Sequence, residues 1–110
     1  MFLRAARFRE LGGFDARYFM HVEDLDLCLQ IARRGGGILY LPELTAVHRR
    51  ASSRVARWRL EWRKTTGATR YMRKNFSGIY PGWALALVNA TLWARLFFVL
   101  AVGSLFGRGR

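Results

Sequence analysis

The sequence predicts an α/β first half followed by a helical second half. Three observations carry this. Residues 23–34 show an amphipathic helical pattern, residues 38–41 form a short apolar run closed by Pro42, and residues 54–74 and 82–106 read as two long helices of opposite polarity. In the first helix Glu23, Asp24 and Asp26 occupy the first turn, and Arg33 and Arg34 the last. That order complements the helix dipole. Leu25, Cys28, Leu29 and Ala32 mark an apolar stripe that Leu27 and Ile31 widen, and Gly35, Gly36 and Gly37 end it. The run Ile38, Leu39, Tyr40, Leu41 predicts a buried strand that Pro42 ends or places at an edge. Residues 45–48 predict a second short strand. Ahead of the helix, residues 5–11 read as a short helix or turn. Gly12 and Gly13 then allow a tight reversal, and 14–20 is partly extended, with Tyr18, Phe19 and Met20 entering the core.

In the second half, Ser52 or Ser53 can cap a helix over 54–74. Val55, Trp58, Trp62, Thr65, Thr69 and Met72 fall on one face at three- and four-residue steps. Residues 75–81 break the pattern with Ser77, Gly78 and Pro81. Residues 82–106 are mostly apolar and long enough to cross a bilayer, which takes about 20 residues. Asn89 and Arg95 lie inside this stretch, and a central Arg costs about 2.5–3.5 kcal/mol on insertion scales. A membrane-associated helix, interfacial or embedded, is favoured over a soluble core helix, while Asn89 and Arg95 argue against a simple isolated span and Arg95 reaches toward water if the helix lies shallow.

Composition bounds the function. The chain has 110 residues, 52% of them hydrophobic and 15% aromatic, which excludes a disordered chain. Cys28 is the single cysteine, so an internal disulfide and a cysteine-based zinc site are excluded, and its reading is small core filler. The net charge of +12 is uneven. The arginines of residues 1–48 are matched by an equal number of carboxylates, whereas residues 49–74 set Arg and Lys against Glu61 alone. A basic segment interleaved with Trp fits an anionic membrane surface or a nucleic acid. The membrane is favoured because an apolar helix follows at once, and nucleic acid is unlikely as a partner. No secretory signal is visible at the start, so the cytoplasmic face of the membrane is the expected location.

Two stretches carry chemistry. One is Gly12-Gly13-Phe14-Asp15 with Tyr18-Phe19-Met20-His21-Val22-Glu23-Asp24-Leu25-Asp26-Leu27. The other is Leu39-Tyr40-Leu41-Pro42-Glu43 with Val47-His48. Together they resemble the second half of family 2 glycosyltransferases, especially the rhamnosyltransferase-like members. The resemblance covers 1–53. It implies a partial GT-A-type nucleotide-diphospho-sugar transferase domain that lacks its N-terminal nucleotide-binding half, with C-terminal helices over 54–110. It also implies transfer of a sugar, with inversion, from a nucleotide-diphospho-sugar donor to a hydroxyl of a cell-envelope glycan or polyprenyl-linked acceptor.

The resemblance places the catalytic base at Asp24. Inverting transfer needs the acceptor hydroxyl deprotonated as it attacks, and a positioned carboxylate can take that proton. Without the flanking motif, Glu23, Asp24 and Asp26 would read as helix-start carboxylates only. Glu23, Asp26 and His21 are the expected acceptor-binding residues, with His21 standing where relatives more often carry an aromatic residue. His48 is read either as a metal or diphosphate contact or as a strand-end histidine bonded to backbone. Arg49 and Arg50 either clamp the donor diphosphate or form a solvated helix start. A divalent metal, Mg²⁺ or Mn²⁺, is expected only together with the missing donor-binding half. Asp24-Leu25-Asp26 is not the family's metal-binding Asp-x-Asp, because it opens a helix. The aromatic residues Phe14, Tyr18, Phe19 and Tyr40 are read as core before sugar platform. The competing class is a non-enzymatic basic module that binds membranes or nucleic acid.

Overall fold

The computed structural model describes residues 2–19, 21–45, 47 and 55–106. Four helices make up its regular structure: α1 (Ala5–Glu10), α2 (Glu23–Arg33), α3 (Arg57–Phe76) and α4 (Gly82–Phe106). The predicted α/β fold of GT-A type is corrected here, because the described residues contain no strand. Residues 38–45 run without helix or strand, and Ile38, Leu39 and Tyr40 are exposed, Tyr40 to 83%. An isolated apolar run has β propensity but no ladder to join, and a strand exists only where a second backbone takes its hydrogen bonds.

α1 is a single amphipathic turn and a half whose Phe8 meets Phe14 edge-on, with ring centroids 5.2 Å apart. Gly12 and Gly13 follow with φ of +83° and +72°, a conformation that costs an L side chain but not glycine. Their amides donate to the carbonyls of Arg9 and Phe8 and close the helix. The chain then returns so that α2 packs on α1. Leu11, Leu27 and Ile31 form the small core there, flanked by Leu3 and Phe8.

The α2 stripe predicted from Leu25, Cys28, Leu29 and Ala32 is not the buried face. Leu25 and Ala32 are exposed and Cys28 and Leu29 half-buried, whereas the buried residues are Asp26 together with Leu27 and Ile31, the two predicted to widen the stripe. A polar anchor selects this face. Asp26 is only 4% exposed, and Lys74 and Asn75 of α3 donate to its carboxylate at 2.7 and 2.8 Å. Arg33, at the other end of α2, donates to the Asn75 side chain at 2.9 Å and to its backbone carbonyl at 2.6 Å. Two turns of α2 are thus bolted to the C-terminal end of α3, and the ionic contact turns Leu27 and Ile31 inward.

α3 and α4 form an antiparallel hairpin joined by residues 77–81. The Phe76 carbonyl accepts the amides of Ile79 and Tyr80, and the Pro81 carbonyl accepts those of Ala84 and Leu85, so Pro81 starts α4. Leu85 and Leu96 are the buried side chains of α4. Trp62 and Trp93 pack edge to face at 5.2 Å. Arg95, the cation inside the apolar helix, donates to Glu61 at 3.1 Å, and Lys64 donates to the other oxygen of that carboxylate at 3.0 Å. The remaining surface of α4 is apolar and open, as at Trp83, Leu87, Phe97 and Phe98. The radius of gyration is 17.1 Å, against about 13 Å for a compact domain of this length. The chain is therefore a hairpin with a small α1–α2 unit attached, held by side-chain ionic contacts more than by a shared core.

Replacing Asp26 by Ala leaves Lys74 and Asn75 facing an emptied polar site, and we expect a loss of about 2–3 kcal/mol in urea unfolding. A change below about 0.5 kcal/mol, the size typical of a plain surface position, would contradict the anchoring role.

Candidate functional site

The start of α2 is where the acidic residues gather. Its N-terminal amides need acceptors, and Val22 at the cap position has no side chain that can accept a hydrogen bond. The carboxylates of the helix serve instead. Glu23 Oε2 accepts the Val22 amide at 3.0 Å, and Asp24 Oδ1 accepts the Leu25 amide at 2.8 Å. Ahead of them stands His21 with φ +80°, the single described non-glycine residue in the left-handed region. Such a conformation costs about 1–3 kcal/mol and persists where the surrounding chain demands a sharp turn.

The three acidic residues have separate fates. Asp24 is exposed, and among the described residues no cation pairs with it. Glu23 is half-buried and tied to the cap amide. Asp26, expected at the acceptor, points inside, with Oδ1 taken by Asn75 and by the Tyr18 hydroxyl and Oδ2 taken by Lys74. An offset of two residues, about 200° around a helix, separates an outward carboxylate from an inward one. His21 is exposed beside them. His48, Arg49 and Arg50 lie outside the described residues. The aromatic residues divide in the same way. Tyr18 is buried over the Lys74 ammonium, Phe14 caps Phe8, and Phe19 is an exposed ring carrying the Arg63 guanidinium 3.5 Å from its centroid.

An ionic chain supports this site from below. Arg17 and Lys74 both bind Asp15, at 2.7 and 2.9 Å, and Lys74 continues to Asp26. The Arg17 guanidinium, then the Lys74 ammonium, hold the Asp15 carboxyl far below the usual carboxylate range. For Lys74, burial pulls downward, but its hydrogen bonds to Asp26 and Asp15 outweigh that and leave it raised. Burial, reinforced by the negative charge of Asp26, pushes the Tyr18 phenol up to about 12. Lys64, helped by Arg95 and opposed by burial, lowers Glu61 in the hairpin. Residues Lys74 and Asn75 were not singled out by the sequence, since they lie 48 and 49 residues from Asp26 and no periodic pattern links them.

Among the described residues no three His, Cys, Asp or Glu side chains gather to hold a metal ion. The metal expected from the sequence would need ligands beyond these, and Asp26 is already occupied by Lys74 and Asn75.

Comparison with known proteins covers part of the chain. The chain is 37% identical over 67 residues to rhamnosyltransferase WbbL of Escherichia coli K12, a match covering 56% of this chain and 25% of that protein. It is 38% identical over 53 residues to the N-acetylglucosaminyl-diphospho-decaprenol L-rhamnosyltransferase of Mycobacterium tuberculosis, covering 48% of this chain and 17% of that protein. A second strain of M. tuberculosis has an equally similar protein of the same name. The chain thus spans a quarter or less of the length of the curated relatives it matches. No protein-family model and no solved structure matches it. The chain is related in part to glycosyltransferases, over about half of its length.

Two outcomes follow for the site. His21→Gly removes the left-handed strain and should raise stability by about 1 kcal/mol in urea unfolding; a loss of stability would mean that the imidazole is held by contacts. Stability should also depend on pH at both ends. Asp15 is lowered, so its contribution is full above 3.8 and drains away as pH falls further. Tyr18 is raised, so its contribution is full below 10.0 and is lost as pH climbs toward about 12. Urea midpoints that stay flat on both arms would contradict the ionic chain.

Proposed function

We propose that this chain is the acceptor-side part of a family 2 inverting glycosyltransferase, with Asp24 as its catalytic base. One observation carries the reading. Of the acidic residues that open α2, Asp24 alone is exposed and without a cation among the described residues, while its neighbour Asp26 clamps the helix that presents it. The partial similarity to rhamnosyltransferases supplies the reaction class.

In this reading the Asp24 carboxylate takes the proton of the acceptor hydroxyl. The freed oxygen electron pair forms the new bond to the anomeric carbon, and the bond to the nucleoside diphosphate breaks on the opposite face, so configuration inverts. His21 and Glu23 border the acceptor, and Asp26 acts through the position of α2. A divalent metal would neutralise the departing diphosphate. His48 is the candidate metal or diphosphate contact of this chain, and Arg49 and Arg50 are the candidate diphosphate contacts. The 110 residues by themselves are expected to transfer no sugar, since they span a quarter or less of the length of the transferases they match.

The acceptor is read as a glycan carried on a lipid, in keeping with the decaprenol-linked substrate in the name of the mycobacterial relative. The hairpin suits such an acceptor. Gly82–Gly103 is long and apolar enough to cross a membrane, with a mean hydropathy of 1.9. Yet α3, rich in Arg and Lys, lies antiparallel along it and would have to enter the bilayer with it. A helix lying in the interface keeps α3 in the headgroup layer and buries Trp83, Phe97 and Phe98 in the acyl boundary. The cytoplasmic face, where basic segments collect, is the proposed side.

The test grafts a segment of this chain that includes Asp24 and the stretch similar to the E. coli rhamnosyltransferase into that protein, in place of its corresponding residues. The chimera should transfer sugar, and Asp24→Asn in it should lower kcat about 10²–10⁴-fold, the usual contribution of a general base. Turnover within a few-fold of the parent would remove Asp24 from the mechanism.

A further inference from the structure

The hollow between α3 and α4 is unused by the reading above. It holds about 550 Å³ and is bordered by the cations Arg17, Arg70, Arg73 and Lys74. The hydroxyls of Thr66, Thr69 and Ser77 stand among them, and Trp93 of α4 closes one side. A second hollow of about 450 Å³ shares Thr69, Arg73 and Trp93 and continues along the first turns of α4, past Leu85 and Ala86 to Asn89.

Charge decides what such a cleft can take. Arg17 and Lys74 are balanced by Asp15 and Asp26. Arg70 and Arg73 form no ion pair among the described residues, so the cleft keeps two uncompensated guanidinium groups on neighbouring turns of α3. Guanidinium groups bind phosphate oxygens bidentately. Thr69 Oγ1 and Asn89 Oδ1 also lack partners among the described residues, but both are sealed from the open space of the hollows, so recognition rests on the two guanidinium groups. The polar end of the cleft opens on α3 and its apolar end runs along α4, so a ligand here is charged at one end and greasy at the other.

We propose that this cleft binds a lipid-borne diphosphate, with Arg70 and Arg73 on the phosphates and the hydrocarbon chain leaving along α4. The proposal deepens the reading of a lipid-linked acceptor and rests on it for its biological meaning.

Binding of the 110-residue chain is measured on three neutral phosphatidylcholine vesicle sets: plain, doped with polyprenyl diphosphate, or doped with phosphatidylglycerol to equal surface charge. The diphosphate vesicles should bind about tenfold more tightly than the phosphatidylglycerol ones, and Arg70→Gln with Arg73→Gln should erase that preference. A control pair, Arg57→Gln with Arg59→Gln, removes the same charge from the start of α3 and should keep the preference. Inorganic pyrophosphate should compete with the lipid, but bind far more weakly without vesicles. Equal binding to the two anionic vesicles overturns the site, as does equal loss in the control pair. Pyrophosphate binding as tight as that of the lipid overturns the lipid source. Transfer by the chimera is read separately: preference without transfer leaves the cleft standing and removes the enzyme reading, and transfer without preference does the reverse.

Discussion

Burying a carboxylate costs several kcal/mol unless donors replace the water it loses, and Asp26 keeps only 4% of its surface. Lys74, Asn75 and Tyr18 supply those donors, and all other contacts of α2 are arranged around them. Arg33 uses the same asparagine from the far end of the helix, so Asn75 receives from Arg33 and donates to Asp26. The result is a short helix whose rotation about its own axis is set by charge and whose apolar contacts follow. That rotation carries Asp24 outward. The position of the proposed base is therefore a consequence of its neighbour two residues on, not of any contact that Asp24 makes beyond its own turn.

The same principle orders the hairpin. Arg95 would be expensive in an apolar helix, and Glu61 would be expensive in a packed interface; each removes the other's penalty, with Lys64 completing the carboxylate. The pairing fixes which face of α4 meets α3 and leaves the rest of that helix bare. An apolar face of this size seeks a covering phase. With basic α3 alongside, the covering proposed for both helices is a membrane surface, apolar below and anionic above. The proposed base and the α3–α4 hairpin are linked through Lys74 and Asn75, which sit at the end of α3 and reach into α2.

Helices were legible where the signal is local. The dipole-matched charges of 23–34, the glycines at 12 and 13, and the polarity switch between 54–74 and 82–106 all correspond to observed elements. Residues whose role depends on distant partners were not legible. Ile38 to Leu41 has the composition of a strand, but pairing is a property of two segments and no second one lies among the described residues. The stripe of Leu25, Cys28, Leu29 and Ala32 satisfied helical periodicity, yet α2 buries the adjacent face because Asp26 is held there. The carboxylates at 23, 24 and 26 were visible as a group, whereas their division into cap, base candidate and anchor required knowing where Lys74 and Asn75 lie.

The account stands or falls on the coupling between Asp26 and Lys74. A double-mutant cycle with Asp26→Asn, Lys74→Met and their combination, followed by urea unfolding, isolates that coupling. A value of about 1–3 kcal/mol is predicted for a contact of this burial, with the double variant close to the worse single one. Strict additivity of the two changes would mean that the bond does not hold α2, and the presentation of Asp24 would need another cause.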